Sequence, residues 1–593
     1  MSCEYGEPYR PQLIERGWPG DRKEVNPYFY ARNLFSMRFV ILVLTSLLFN
    51  TLQAQSGQYY EQAFSAADST RGSLRESRAC YNVTYYHLDI ELDFKNKAIS
   101  DGQLTMQFEL LSKPDELQFD LFDNMELDAV RLNGVPVSGL RREHQAVFFK
   151  LPEGAEVGEG IVHTLDIVYH GQPQIALNAP WDGGFVWARD AQERYWIGVA
   201  CEGTGASLWW PNKDHLSDEP DSMLISVTVP SRYFVASNGN LRAEEEVNGG
   251  KKRYDWFVSY PINNYNVSIT VGNYAHFSET YTSPFTNDEL AMDYYVLDYN
   301  EERAREHFQQ SQGVLEAFEY YFGPYPYPND GFALIETPYL GMEHQSGIAY
   351  GNRFMRGYLG GLIPRDMDWD YIIVHETGHE YFGNSISVAD HAEMWIHESF
   401  TTYMEALYVE YHYDAAAARR YLKSQRPYIV NRAPVLGPLG VNFDEFRGSD
   451  HYYKGSWVLH TLRHAINDDD KWWRVLRGFY EEYKHSIVST PEVIDYFAEA
   501  IGEDWVRSFF EQYLMHPDIP TLKLARGPSP GPSGAIWKCW WETEVEDFAM
   551  PVELMVNGES IRVKPSTEWV DITVDPDATI ELAPDRFLIN LEQ

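Results

Sequence analysis

The pentapeptide His375-Glu376-Thr377-Gly378-His379 constrains this chain more than any other stretch. Residues four apart share one face of a helix, whereas the pitch of a strand separates them. Two imidazoles so spaced reach one ion when the stretch is helical. The apolar run Tyr371-Ile372-Ile373-Val374 just ahead of it suits a buried helix start. Glu376 stands next to His375 and reaches a water beside the ion rather than the ion itself. Gly378 costs roughly 1 kcal/mol against alanine inside a helix, so a small residue there suits close packing or substrate approach.

The remaining ligands must be histidine or carboxylate. The four cysteines, Cys3, Cys80, Cys201 and Cys539, form no C-x-x-C pair and make neither a disulfide scaffold nor a thiolate metal site. Glu398 lies 19 residues after His379, in the amphipathic stretch MWIHESFTTYMEALYVEY. A second helix, packed antiparallel across the 384–393 connection, brings that carboxylate to the ion. Two histidines and a glutamate with an open fourth position match a catalytic zinc site rather than a closed structural one. One zinc ion is therefore expected, held by His375, His379 and Glu398. His397 points elsewhere on the helix and is expected to support or pack.

At 593 residues the chain is too long for one core, so several domains are expected. Residues 77–280 read as strands. VTYYHLDIELDF (83–94) alternates, and QLTMQFELL (103–111) follows Ser100-Asp101-Gly102 as a hairpin. Residues 281–518 read as helices, with clear periodicity over 301–323. Residues 519–593 return to short strands, divided by the loop RGPSPGPSG (526–534) and turning at Asn557-Gly558. The expected fold is multidomain α+β: an N-terminal all-β domain, a mainly helical catalytic domain and a small C-terminal β-sandwich.

The run FVILVLTSLLF (39–49) follows Met37-Arg38. It is too short to span a bilayer but suits the apolar core of a signal peptide. Residues 1–54 are read as a leader with its start at Met37, a signal peptide over 37–54 and cleavage before Gln55. The mature chain is expected to be periplasmic or extracellular, with no stable membrane span. Lys+Arg number 48 against 88 Asp+Glu, a net charge of −40. Such a surface repels phosphate backbones, so no nucleic-acid partner is expected.

With these residues in place the chain resembles the zinc aminopeptidases typified by aminopeptidase N and leukotriene hydrolase. His375–His379 with Glu398 matches their H-E-x-x-H-x18-E signature, and His379-Glu380-Tyr381-Phe382-Gly383-Asn384 extends it. Tyr339-Leu340-Gly341-Met342-Glu343-His344 is similar to G-x-M-E-N, and Tyr452-Tyr453-Lys454-Gly455 to Y-x-K-G. Trp210-Pro211 with Asp218-Glu219-Pro220 resembles W-F-P-x-x-D-E-P with an insertion. The resemblance spans roughly 77–593. It implies a thermolysin-like catalytic domain in a compact three-domain form, without the large helical C-terminal domain of aminopeptidase N. It also implies roles. Glu376 acts as general base, and Tyr452, rather than Tyr453, donates to the oxyanion. Glu343 binds the substrate α-amine, alongside Gly341 and Met342. Glu202, nine residues before Pro211, contacts the same amine. The implied activity is hydrolysis of the first peptide bond of peptides with a free N-terminus by metal-activated water. Leu340 and His344 depart from the usual Gly and Asn, so specificity does not carry over. Two other readings use the same scaffold. A thermolysin-like endopeptidase would ignore N-acetylation. A catalytically inactive peptide-binding homologue would be expected to have lost part of this residue set.

Overall fold

A computed structural model describes residues 64–527, 535–575, 577–583 and 585–593. The expected leader over 1–54 and most of the 526–534 loop lie outside the described residues.

The N-terminal part is built on two long strands, Tyr81–Asp93 and Ala98–Leu110, whose residues are buried on one face only. They sit inside an eight-stranded sheet, with Ser222–Pro230 pairing parallel to the first. The hairpin between them turns at residues 94–97, where Lys97 has φ 53°. Ser100-Asp101-Gly102, expected as the turn, continues the second strand. Gly102 lies against the ring of Tyr169, and a Cβ there would stand 2.6 Å from it. This glycine marks a close approach within a strand, not a turn. A second sheet of four strands holds Tyr195–Ala200 between Ile269–Gly272 and Gly184–Arg189, and this strand delivers the chain to Glu202.

A third sheet joins the two halves. Its order is Tyr274–Thr282, Glu289–Leu297, Phe332–Glu336, Ile348–Tyr350 and Gly341–Met342. Met292, Tyr294, Leu334 and Ile348 face the core of the helices. The alternating Tyr295, Ala333, Ile335 and Ala349 face the core of the β-domain. The boundary expected at 280/281 falls inside the first strand of this sheet.

The helix expected over 301–323 is two helices, Glu301–His307 and Gln310–Phe322. The break falls where His307 reaches Asp370, at 2.7 Å, and Phe308 turns into the core. The helical layer continues with Tyr371–His379, Trp395–His412, Tyr453–Ile466 and Trp505–Met515, among others. At the C-terminus, sheets of four and three strands share one apolar core with the helices. Asn557 and Gly558 turn its hairpin with φ 52° and 84°, as a two-residue type I′ loop requires. The molecule is thus a multidomain α+β protein with a β-rich N-terminal part, a helical middle part and a C-terminal β-sheet part. No described helix is long and apolar enough to cross a membrane.

Candidate active site

Asp370 starts the helix Tyr371–His379, accepting from Ile372 N at 2.9 Å and Ile373 N at 3.3 Å. Every residue of this helix is buried. One turn apart, His375 and His379 bring their Nε2 atoms to 3.1 Å. Their Nδ1 atoms face fixed acceptors: Glu405 Oε1 at 2.6 Å for His375, and Phe382 O at 2.9 Å for His379. Those partners place the proton on each Nδ1 and turn both Nε2 lone pairs inward. Glu398 Oε2 stands 3.4 Å from each Nε2. It is buried and has no hydrogen-bond partner.

Two lone pairs and a carboxylate oxygen facing one another call for a cation. Zinc bonds of about 2.0–2.1 Å in a tetrahedral shell separate the ligand atoms by about 3.3–3.4 Å, close to the spacing found here. The donor set therefore fits one zinc ion.

His375 meets Glu405 while His379 meets Thr401, so the helix Trp395–His412 runs antiparallel to Tyr371–His379. Gly378 allows the contact: a Cβ there would stand 3.0 Å from Thr401 Cγ2. Glu405 lies in none of the sequence motifs. Its signal is a position seven residues after Glu398, two turns along the same face. Its other oxygen accepts from Tyr421 Oη and Gln425 Nε2. Glu405→Gln is expected to lower zinc affinity by roughly 10–100-fold, the usual cost of losing such an orienting partner. Competition with a chromogenic chelator reads this directly, and an unchanged affinity would remove Glu405 from the site.

Glu376 lies in the same buried wall, and burial pushes its carboxyl up to about 7. Gly341 packs onto it: a Cβ at 341 would stand 2.9 Å from Glu376 Oε1 and 2.8 Å from Ile372 Cγ2. Gly341–Met342 forms the edge strand of the five-stranded sheet. Glu343 follows, accepting from Tyr265 Oη at 3.0 Å, while its carbonyl accepts from Asn384 Nδ2 at 2.8 Å. Ligand atoms of Glu343, Glu376 and His379 lie within 4.8 Å of one another. Glu202 faces this group. Burial, then the Glu343, Glu398 and Glu376 carboxylates, raise its carboxyl well above the ordinary value. Four carboxylates crowded together, three of them buried, repel one another, and a cation relieves them.

Tyr452 caps the helix Tyr453–Ile466. Its ring lies 6.1 Å from that of His375, near parallel. Burial and the adjacent Glu398 carboxylate keep its phenol protonated, well above its ordinary pKa. Tyr453 instead meets Tyr428, at 5.4 Å. The rest of the motif aims Tyr452. Lys454 is buried and donates to His516 O at 3.0 Å and Pro517 O at 2.7 Å. A Cβ on Gly455 would stand 1.6 Å from Ser399 Oγ, so glycine lets this helix touch the one carrying Glu398.

The remaining motif residues do structural work. Asp218 pairs with buried Lys213 at 2.5 Å, and Glu219 accepts from Ser387 Oγ at 2.5 Å, docking the β-domain on the helical part. Burial pushes His344 down to about 3, so it stays neutral. His397 stands 3.5 Å from Tyr265 Oη, outside the metal triad. Tyr265, the partner of Glu343, lies in no motif.

Residues 306–513 match the peptidase family M1 domain, and the chain carries a domain of that family. Mouse aminopeptidase B is 24% identical over 296 residues, which cover 46% of this chain and 42% of that protein. Aminopeptidase N of Escherichia coli is 20% identical over 467 residues, covering 76% of this chain and 50% of that one. The chain thus spans about half the length, or less, of these relatives. Among solved structures, Legionella pneumophila aminopeptidase A in complex with aspartic acid superposes with a TM-score of 0.72 at 14% identity, covering 87% of this chain and 60% of that one. An M1 zinc metallopeptidase from Deinococcus radiodurans gives 0.59 at 19% identity, covering 77% and 96%. Both are likenesses of fold.

Proposed function

We propose that the protein is a zinc-dependent aminopeptidase that removes the first residue of peptides, acting outside the cytoplasm. The observation that carries this reading is the position of Glu343. Its buried carboxylate stands beside Glu376 and His379 but outside the His375–His379–Glu398 triangle. A general zinc protease has no need of a second anionic end so close to its metal. A free ammonium is the substrate group that would neutralise it.

His375, His379 and Glu398 would hold the zinc, which when bound polarises the scissile carbonyl and makes water a ready nucleophile. Glu376 takes the proton from the attacking water and returns it to the leaving amine, for which a pKa near 7 is well matched. Tyr452 donates its hydroxyl to the oxyanion. Glu343, with Glu202, holds the ammonium and so sets which bond lies over Glu376. The acidic composition supports peptides rather than nucleic acid as partners. The proposed location rests on the apolar run of the leader.

Tyr452→Phe is expected to leave KM nearly unchanged and to lower kcat, with a loss of roughly 2.7–4 kcal/mol for one oxyanion donor. Tyr453→Phe should be far milder, and the reverse order would transfer the role to Tyr453. The reading as a whole is tested with a panel of aminoacyl reporter substrates, with and without chelator. Activity should vanish on chelation and return with zinc. Full activity in protein shown to be metal-free would refute it.

A further inference from the structure

The segment ahead of the first strand carries no sequence motif, yet it touches both halves of the frame around the site. Helix Ala66–Gly72 is closed at its start by a Ser65–Asp68 capping box. Arg78, fully buried, grips Asp120 through two contacts of 2.8 and 2.9 Å and donates to Arg71 O at 2.5 Å. This fixes the segment to the β-domain. Gly72 crosses the catalytic part so closely that a Cβ would stand 2.1 Å from Asn442 N. Ser73 Oγ donates to Gly440 O at 3.2 Å, and Phe64 meets Phe443 edge-on at 6.4 Å. The loop held in this way leads on to Tyr452.

Arg71 sits at the centre of this strap. Its Nη2 donates to Gly203 O at 3.1 Å, and Asn442 Nδ2 donates to the same oxygen at 3.2 Å. Gly203 follows Glu202 in a tight turn closed by Gly205 N to Cys201 O at 2.6 Å. Gly205 has φ 89°, and a Cβ there would stand 2.4 Å from Arg71 Nη2. The turn therefore admits the guanidinium only because position 205 is glycine. Three other carboxylates push against Glu202, and its half-buried position leaves it a way out. A carbonyl held by two donors cannot swing away without leaving both unpaired.

We propose that Arg71 is a positioning residue for the substrate amine: acting through the Gly203 carbonyl, it holds the Glu202 carboxylate at the amine end of the site, and residues 65–78 are the strap that carries it. This rests on Glu202 contacting the amine. No step of bond making or breaking is assigned to Arg71.

The test is a double-mutant cycle in the zinc-loaded full chain, read as KM and kcat on one free-amine aminoacyl substrate. Arg71→Ala should raise KM by about tenfold, the effect of losing one charged hydrogen bond, with kcat within about twofold. In a Glu202→Ala background the same change should add less than about twofold, because its route to the amine is gone. Arg71→Lys, which keeps a charged donor, should recover most of the loss. A merely structural strap would cost the same in both backgrounds, and that result would overturn the proposal. If Arg71→Ala does not fold, Asn442→Ala withdraws the other donor from the same carbonyl. It should raise KM by about threefold, again only when Glu202 is present, and an equal effect in both backgrounds would likewise overturn the proposal. Kinetics unchanged in Glu202→Ala would overturn the amine contact of Glu202 and this proposal with it. The aminopeptidase reading would survive that result, since Glu343 carries it.

Discussion

Glu376→Gln is expected to keep its zinc, its fold and its substrate affinity, and to lose at least roughly 100-fold in kcat, the low end for a general base. The side chain is buried beside the metal triad, and its carboxyl is lifted by burial to about 7. It can therefore accept a proton near neutral pH and give it up again. Gln fills the same space against Gly341 and Ile372 but cannot accept the proton. The variant also removes one charge from a group of four crowded carboxylates. Its Tm should hold or rise, which separates loss of chemistry from loss of fold. Metal analysis, a melting curve and steady-state kinetics on one preparation check the three parts together. Wild-type turnover would exclude Glu376 as the base. A variant without zinc would mean that Glu376 is needed to hold the metal.

Glu343→Ala is expected to lower kcat/KM for free-amine substrates by roughly 2–5 kcal/mol, the range for truncating one side of a buried charge pair. That is about 30- to 5,000-fold at 1.36 kcal/mol per factor of ten. Glu343 is well placed for such a contact. Its carboxylate is buried, oriented by Tyr265 at 3.0 Å, and its backbone is pinned by Asn384 at 2.8 Å. The substitution leaves the His375–His379–Glu398 set intact, so zinc content should not change. Glu202→Gln should cost less, since Glu202 is only half-buried. A variant that loses zinc, or one that retains wild-type kcat/KM, would remove Glu343 from the amine end.

Legibility in the sequence followed the range of the interactions. His375 and His379 could be read because helical pitch dictates their meeting. Glu398 was legible because a short connection must fold the next helix back on the first. Glu405 sits on the same face of that helix, but a carboxylate two turns away does not announce which ring it will orient. Tyr265 could not be read at all. It lies 78 residues before Glu343, and only the docking of the β-domain brings them together. The joining sheet was hidden for a related reason. Phe332–Glu336 is buried on both faces, so the alternation that marks a half-exposed strand is absent. Gly102 suits a turn as far as the sequence goes, because glycine permits both turns and close approaches. Only the ring of Tyr169 decides between them. The break at Phe308 carries no glycine or proline, and it follows from tertiary contacts of His307 and Phe308.

A free ammonium, held by Glu343 at a fixed distance from the metal triad, selects the bond to be cut in the proposed reaction. The most direct measurement compares one peptide in free and N-acetylated forms, in the zinc-loaded enzyme and in Glu343→Ala. The wild type should cleave the free peptide at its first bond and leave the acetylated one intact, and Glu343→Ala should lose most of its activity on the free form. Equal cleavage of both forms by the wild type, with no loss in Glu343→Ala, would contradict the aminopeptidase reading and leave a thermolysin-like endopeptidase in its place.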